Sequence, residues 1–164
     1  MCRFKFFLFS FFFFSNLFAQ VNTSNVTIVR DKWGVPHIYG ITDKEAAYGL
    51  AWAHAEDDFE TIQKTFLPAK GMLGRREGMS GAVLDYAVEL LKSREVAKRE
   101  LKNLSPEGLN IIYGYLEGLN AYAEKHPEKI LVKHSFPLTI YDYLTGLNLM
   151  LHLFSDTGDV IGQL

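Results

Sequence analysis

Only two stretches of this 164-residue chain are patterned as strands, and both end before residue 40. Val26-Thr27-Ile28-Val29 alternates with the period of two that marks a half-buried strand, and Val35-Pro36-His37-Ile38-Tyr39 is a second β-rich run. Asp31-Lys32-Trp33-Gly34 supplies a turn between them, with Gly34 free to take positive φ. Pro36 has no N–H to give to a ladder, which places its strand at an edge or a bulge. A lone hairpin is marginal in water, so a chain with one hairpin followed by helices needs strands from elsewhere. The pattern predicts an α+β chain, mostly helical, that forms part of something larger.

Four helices are expected after the hairpin. Thr42 and Glu45 form a T-x-x-E capping box, and the stretch to Phe66 is rich in Ala, Glu, Lys and Leu before Pro68 ends it. Residues 69–81 carry Gly71, Gly74, Gly78 and Gly81 and are expected to be a loop or broken turn. Ala82–Leu104 reads as one helix. Ser105-Pro106-Glu107 is an N-cap, a first-turn Pro and a first-turn acid, opening a third helix to about Glu124 with Leu109, Ile112, Leu116, Leu119 and Ala123 on its core face. Thr139 and Asp142 open the fourth, which runs to about Phe154.

Nine of the 13 Phe lie before residue 20, so the hydrophobicity of the chain belongs to one end. Arg3 and Lys5 precede the Phe- and Leu-rich run Phe6–Phe18, and Ala19 follows it ahead of Gln20. Charged, apolar, then small is the order of a secretory signal peptide, and residues 1–19 are read as one, with cleavage after Ala19. A spanning helix needs about 20 apolar residues, which the polar run after Gln20 denies. The mature chain, residues 20–164, is then periplasmic or secreted, with no membrane association after cleavage. Its balance is 15 basic against 19 acidic residues, which gives no basis for nucleic-acid binding. Cys2, the single cysteine, lies in the leader, so a thiol nucleophile, disulfides and a Cys-based zinc site are excluded from the mature chain.

Spacing alone reveals no complete active site. His54-Ala55-Glu56-Asp57-Asp58 is the densest polar cluster, but it holds no H-E-x-x-H, and His54 has helical reach to Asp57 or Asp58 rather than to Glu56. A solvated or subunit-facing helix side is the expected reading. His37 has no Ser or Asp at a spacing that makes a triad, and His126, His134 and His152 have no partner in sequence. The glycine-rich stretch lacks G-x-x-x-x-G-K-[ST], and Ser80 follows Met79 rather than sitting in G-x-S-x-G. On these grounds a non-catalytic, truncated, secreted helical binding module fits as well as an enzyme.

Longer strings change the balance. Arg30-Asp31-Lys32-Trp33-Gly34-Val35-Pro36-His37-Ile38-Tyr39, followed by Ala47-Tyr48-Gly49-Leu50-Ala51-Trp52-Ala53-His54-Ala55-Glu56-Asp57-Asp58-Phe59, resembles the start of the α subunit of the penicillin acylase (penicillin amidase) family. Glu117-Gly118-Leu119-Asn120 resembles the family's E-G-[VIL]-N pattern, and Phe136-Pro137-Leu138-Thr139-Ile140-Tyr141-Asp142 its approach to the last α-subunit helix. The His-Ala-Glu-Asp-Asp helix is similar to the acyl-homoserine lactone, aculeacin A and cephalosporin acylase branch.

The resemblance implies the α-subunit portion of an αββα N-terminal nucleophile hydrolase. Such a precursor is exported, cleaves itself into α and β subunits, and exposes a Ser at the new β-subunit N-terminus. A free α-amino group has an unperturbed pKa of about 7.7–8.0, so it can act as base for its own residue's hydroxyl. The catalytic Ser is expected outside residues 20–164, so no catalytic residue is assigned in this chain. Ser15-Asn16 and Ser24-Asn25 are not read as the nucleophile, one lying in the leader and the other ahead of the hairpin. The implied partners are the β subunit of the same precursor and a small acylated amide of acyl-homoserine lactone, lipopeptide or β-lactam type. Phe154 is the implied wall for an apolar acyl group. No cofactor is required for the chemistry; Asp159 is the nearest acid to the carboxylate with which calcium-binding members hold a structural ion.

Overall fold

The computed structural model describes residues 20–155. The expected signal peptide and Asp159 lie outside the described residues. Two antiparallel strands, β1 (Thr27–Arg30) and β2 (Pro36–Tyr39), precede six α-helices: α1 (Asp43–Phe66), α2 (Gly74–Glu77), α3 (Met79–Leu90), α4 (Ser93–Glu100), α5 (Pro106–Lys125) and α6 (Ile140–Leu153). The expectation of a mostly helical chain with an N-terminal hairpin is borne out.

The strands pair Ile28 with Ile38 and Arg30 with Pro36. Pro36 closes the ladder at its turn end, where its missing N–H is tolerated. Asp31 builds the turn: its Oδ1 accepts from the Trp33 and Val35 N–H at 2.8 and 3.0 Å, and Gly34 takes φ +82. Ile28 and Ile38 face α1 at Gly49, where a Cβ would stand 2.7 Å from Ile38 and 2.9 Å from Val26. Glycine at that turn of α1 lets the hairpin lie against helix backbone.

The capping box at Thr42 is complete in both directions. Helix α1 has one break. Asp58 departs from helical geometry (φ −153, ψ 74), and its Oδ1 accepts from Thr61 N–H at 3.0 Å, so it caps the second half as if a new helix began there. The core is the α1–α5 interface. Ala51, Ala55, Phe59 and Phe66 of α1 meet Leu116, Leu119, Tyr122 and Ala123 of α5, with Leu138 and Ile140 closing one end. The Phe59 and Tyr122 rings meet edge-on, centroids 5.0 Å apart. Ser105 caps α5 by accepting from Gly108 N–H at 3.0 Å, and a second two-way capping box at Thr139 opens α6.

The single helix expected over Ala82–Leu104 is corrected. It is α3 and α4, separated at Lys92, which sits in the left-handed region (φ 51, ψ 37), with a 3-10 turn over Leu101–Asn103. Tertiary packing overrides the helical period here. Ala87 and Val88 of α3 pack on Leu149 of α6, and the turn in direction sends Arg94 of α4 to the Ala69 carbonyl and toward Asp142. The glycine-rich stretch also holds more structure than expected, containing α2 and the first turn of α3.

Candidate functional site

Asp85 of α3 accounts for the glycine-rich segment. Its two carboxylate oxygens accept the Leu73 and Gly74 N–H groups at 3.0 and 2.9 Å, taking up donors at the start of α2 that a phosphate would need. Ser80 donates its hydroxyl to the Glu77 carbonyl at 3.0 Å. Near the N-terminus, Ser24 Oγ donates to Asn22 Oδ1 at 2.8 Å and Asn25 donates to Glu45 Oε1 at 2.7 Å, so this Ser-Asn pair is part of a capped 3-10 turn.

The histidines stay apart. His54 Nδ1 lies 3.2 Å from the Tyr115 hydroxyl, so its partner is on α5 rather than at Asp57 or Asp58 as helical spacing predicts. His37 Nε2 is 3.5 Å from Asp31 Oδ2 at the hairpin turn, and His126 Nδ1 is 3.5 Å from Glu128 Oε1. Asp31 is held below the usual carboxylate range, chiefly by the Trp33 N–H.

Three polar hubs organise the molecule. At the first, Arg30 ties the hairpin to α1. Its guanidinium donates to the Gly34 carbonyl at 2.8 Å and pairs with Asp57 at 2.8 Å and Glu56 at 3.1 Å, while Trp52 Nε1 donates to the other Glu56 oxygen at 3.0 Å. The Asp57 and Glu56 hydrogen bonds raise the Arg30 pKa further above its ordinary value. At the second, Glu117 of α5 accepts from Val21 N–H at 2.8 Å and Lys44 Nζ at 2.5 Å. One turn away, Asn120 clamps Leu138, donating to its carbonyl at 2.9 Å and accepting its N–H at 2.7 Å. Between them, a Cβ on Gly118 would stand 2.5 Å from the Tyr48 carbonyl oxygen. The Glu-Gly-Leu-Asn string is therefore an α1–α5 junction: anchor, close approach, core residue, clamp. At the third, buried Asp142 accepts from Thr139 N–H at 2.9 Å and Oγ1 at 2.8 Å, and Lys70 Nζ stands 3.2 Å away.

Apolar surface also remains open. The outer face of the hairpin shows Val29, Val35 and Tyr39, with Trp33 at the turn 79% exposed and Ile41 just beyond β2 77% exposed. On α6, Leu147 and Leu151 are exposed, and Phe154, which caps the helix C-terminus, is 84% exposed. Leu147 and Leu151 line a groove of about 210 Å³ with Val96, Ala97 and Leu104, in which the buried Asn148 Oδ1 has no partner. Phe154 extends the same apolar stripe at positions i, i+4 and i+7, lying beyond the groove rather than in its wall. Among the described residues no group of three or more His, Cys, Asp or Glu stands close enough to hold a metal ion.

A two-stranded hairpin lying on a two-helix core, followed by the shorter helices α2–α4 and α6, defines a mostly helical α+β chain. Comparison with known proteins gives its kind. Residues 25–159 match the family model described as penicillin amidase, and the chain belongs to that family. It is similar to penicillin G acylase of Escherichia coli, 28% identical over 118 residues that cover 70% of this chain and 14% of that protein. Penicillin acylase 2 proenzyme of Pseudomonas sp. strain SE83 is 30% identical over 97 residues, covering 59% of this chain and 12% of that one. The acyl-homoserine lactone acylase QuiP of Pseudomonas aeruginosa is 28% identical over 106 residues, covering 65% and 12%. The chain thus spans only about an eighth of the length of these relatives. A solved structure of thermostable penicillin G acylase from Alcaligenes faecalis superposes with a TM-score of 0.62 at 25% identity, covering 80% of this chain and 75% of that one. Penicillin G and acyl-homoserine lactone acylases match at equal identity, so identity does not choose between the two branches.

Within the described residues, Arg30, Glu117, Asn120 and Asp142 of the family strings make contacts that join one element to another. Sequence reasoning missed the Arg30 to Glu56 and Asp57 bridge and the Glu117 anchor. Both span long separations, and the signal for each was the motif itself, whose physical role needs the α1 packing to be known.

Proposed function

We propose that this chain is the α-subunit portion of an exported N-acyl amide hydrolase whose catalytic Ser lies elsewhere in the same precursor. The observation that carries the reading is the family match over residues 25–159 in a chain whose hairpin has two open edges and an apolar outer face. Two further facts support it. One relative is named a proenzyme, and the matching solved chain is close to this one in length although the curated relatives are far longer. No helix among the described residues is long and apolar enough to cross a membrane. A periplasmic or secreted location once residues 1–19 are removed belongs to the same proposal.

In this reading the Ser Oγ attacks the acyl carbonyl while its own α-amine takes the proton. N–H donors hold the tetrahedral oxyanion, the amine leaves, and water releases the acyl group from the enzyme. This chain's contribution is scaffold and pocket wall. Phe154 stands exposed at the end of α6, where an apolar acyl group and the β subunit would cover it. A structural calcium held by Asp159 with donors outside the described residues belongs to the same proposal, and no step passes through it.

The test is to produce the complete open reading frame that encodes this chain beside residues 20–164 alone. Both are assayed against acyl-homoserine lactones, penicillins and an acylated lipopeptide. Hydrolysis of at least one N-acyl amide by the complete product and none by residues 20–164 is expected. Activity of residues 20–164 alone overturns the reading, as does a complete product inert towards every N-acyl amide.

A further inference from the structure

The anchored fold begins one residue after the expected export cleavage. Val21 is 8% exposed, and its N–H donates to Glu117 Oε2, while the other Glu117 oxygen holds Lys44 Nζ. Gln20, immediately before it, is exposed. Cleavage after Ala19 leaves a single residue outside the anchored chain, and that residue is a glutamine carrying the new α-amino group.

We propose that Gln20 closes to a pyroglutamyl lactam, so that the mature N-terminus is a modification site; this rests on the export reading given above. The reaction is intramolecular and needs no co-reactant. The α-nitrogen attacks Cδ of its own side-chain amide, the new N–Cδ bond forms, the Cδ–Nε2 bond breaks, and ammonia leaves with the proton the amine gives up. With an unperturbed pKa of about 7.7–8.0, an appreciable fraction of α-amine is neutral and nucleophilic near pH 7. Nucleophile and carbonyl share one residue, which supplies the high effective concentration of a small-ring closure.

The surroundings suit this chemistry. The exposed Gln20 side chain is free to turn back on its own amine. The anchor uses the N–H of the peptide bond between residues 20 and 21, which closure leaves intact. A closed terminus also protects that anchor. An aminopeptidase needs a free α-amine, and removal of two residues from an open end would take away both buried Val21 and the N–H held by Glu117. A chain whose mature part has no cysteine has no disulfide to secure its end in an oxidising compartment.

The complete protein is exported from its host, quenched in acid on isolation, and its N-terminal peptide sequenced by mass spectrometry. A synthetic peptide of residues 20–30 goes through the same handling. The expected peptide begins at residue 20, is lighter than the glutamine form by one ammonia, and yields Val21 as first residue after pyroglutamyl aminopeptidase. The synthetic peptide stays open. The variant Gln20→Ala keeps a free amine and is trimmed by a general aminopeptidase that leaves the parent intact. A mature chain starting at Gln20 with a free amine overturns this proposal and leaves the export reading standing. A start elsewhere overturns this proposal together with cleavage after Ala19. Equal closure of the synthetic peptide makes the lactam a product of handling and overturns the proposal too.

Discussion

At Gly118 the α1 and α5 backbones approach so closely that a methyl group has no room. Its Cβ would meet the Tyr48 carbonyl oxygen and Ala51 Cβ at 2.5 and 2.8 Å, and helix backbone cannot swing aside as a flexible side chain can. Gly118→Ala is expected to destabilise by about 1–3 kcal/mol, as overpacking of a filled core does. Chemical denaturation of the complete protein checks this; an unchanged midpoint would mean that the helices are not in backbone contact. Glu45 makes a pH-dependent contribution. It accepts from Asn25 Nδ2, Thr42 N–H and Thr42 Oγ1, and these bonds, Asn25's first, hold its pKa below the ordinary carboxylate value. A depressed folded-state pKa means stabilisation that is complete above the unfolded value and fades as pH falls through the folded one. Thermal melts from neutral to acid pH are expected to fall less steeply for Glu45→Gln than for the parent across that window.

At the level of elements, α1 is two helices joined at a kink, with a cap between them. Asp58→Ala removes the side-chain acceptor for Thr61 N–H and is expected to cost about 1 kcal/mol, the usual worth of an N-cap. Asp58→Asn is expected to restore most of it, because an amide oxygen caps as well as a carboxylate; equal melting of Ala and Asn variants would contradict the assignment. The capping boxes at Thr42 and Thr139 and the Ser-Pro start of α5 were readable because a cap is a local event, decided within four residues. The break at Lys92 was not. Nothing in Leu91-Lys92-Ser93-Arg94 stops a helix, and the left-handed residue is imposed by what α3 and α4 must reach on α6 and at Asp142. The Asp58 cap was hidden for a related reason: within a helical run of Ala and Glu, an Asp that caps looks the same as an Asp in solvent.

On the scale of the whole molecule, the distribution of apolar surface is the telling property. Trp33, Ile41, Leu151 and Phe154 are each more than 60% exposed, on a hairpin with open edges and on the last helix. On the proposed reading, residues 20–164 produced alone are expected to bind a hydrophobic dye or aggregate, and co-production with the proposed β subunit to suppress both. A monomeric, dye-silent chain with a sharp cooperative melt would show that it needs no partner. On the proposed reading, Phe154→Ala in the complete protein is expected to shift preference among acyl chain lengths, read as kcat/KM ratios, by roughly tenfold, the lower end of what one methylene of pocket contact is worth. Equal ratios would remove Phe154 from the acyl wall. The sequence by itself determined the hairpin and its turn at Asp31-Gly34, the caps at Thr42, Ser105 and Thr139 that open α1, α5 and α6, and the family through strings that survive at low identity. Those features depend on neighbours along the chain or on motifs read whole. Only the tertiary structure decided that Arg30 grips Glu56 and Asp57, that Glu117 binds both Lys44 and the Val21 N–H, that His54 turns to Tyr115, and that α3 and α4 are separate. Each of these joins residues far apart in sequence or trades local helix for a distant contact, and such pairings become definite only when α1, α5 and α6 are packed.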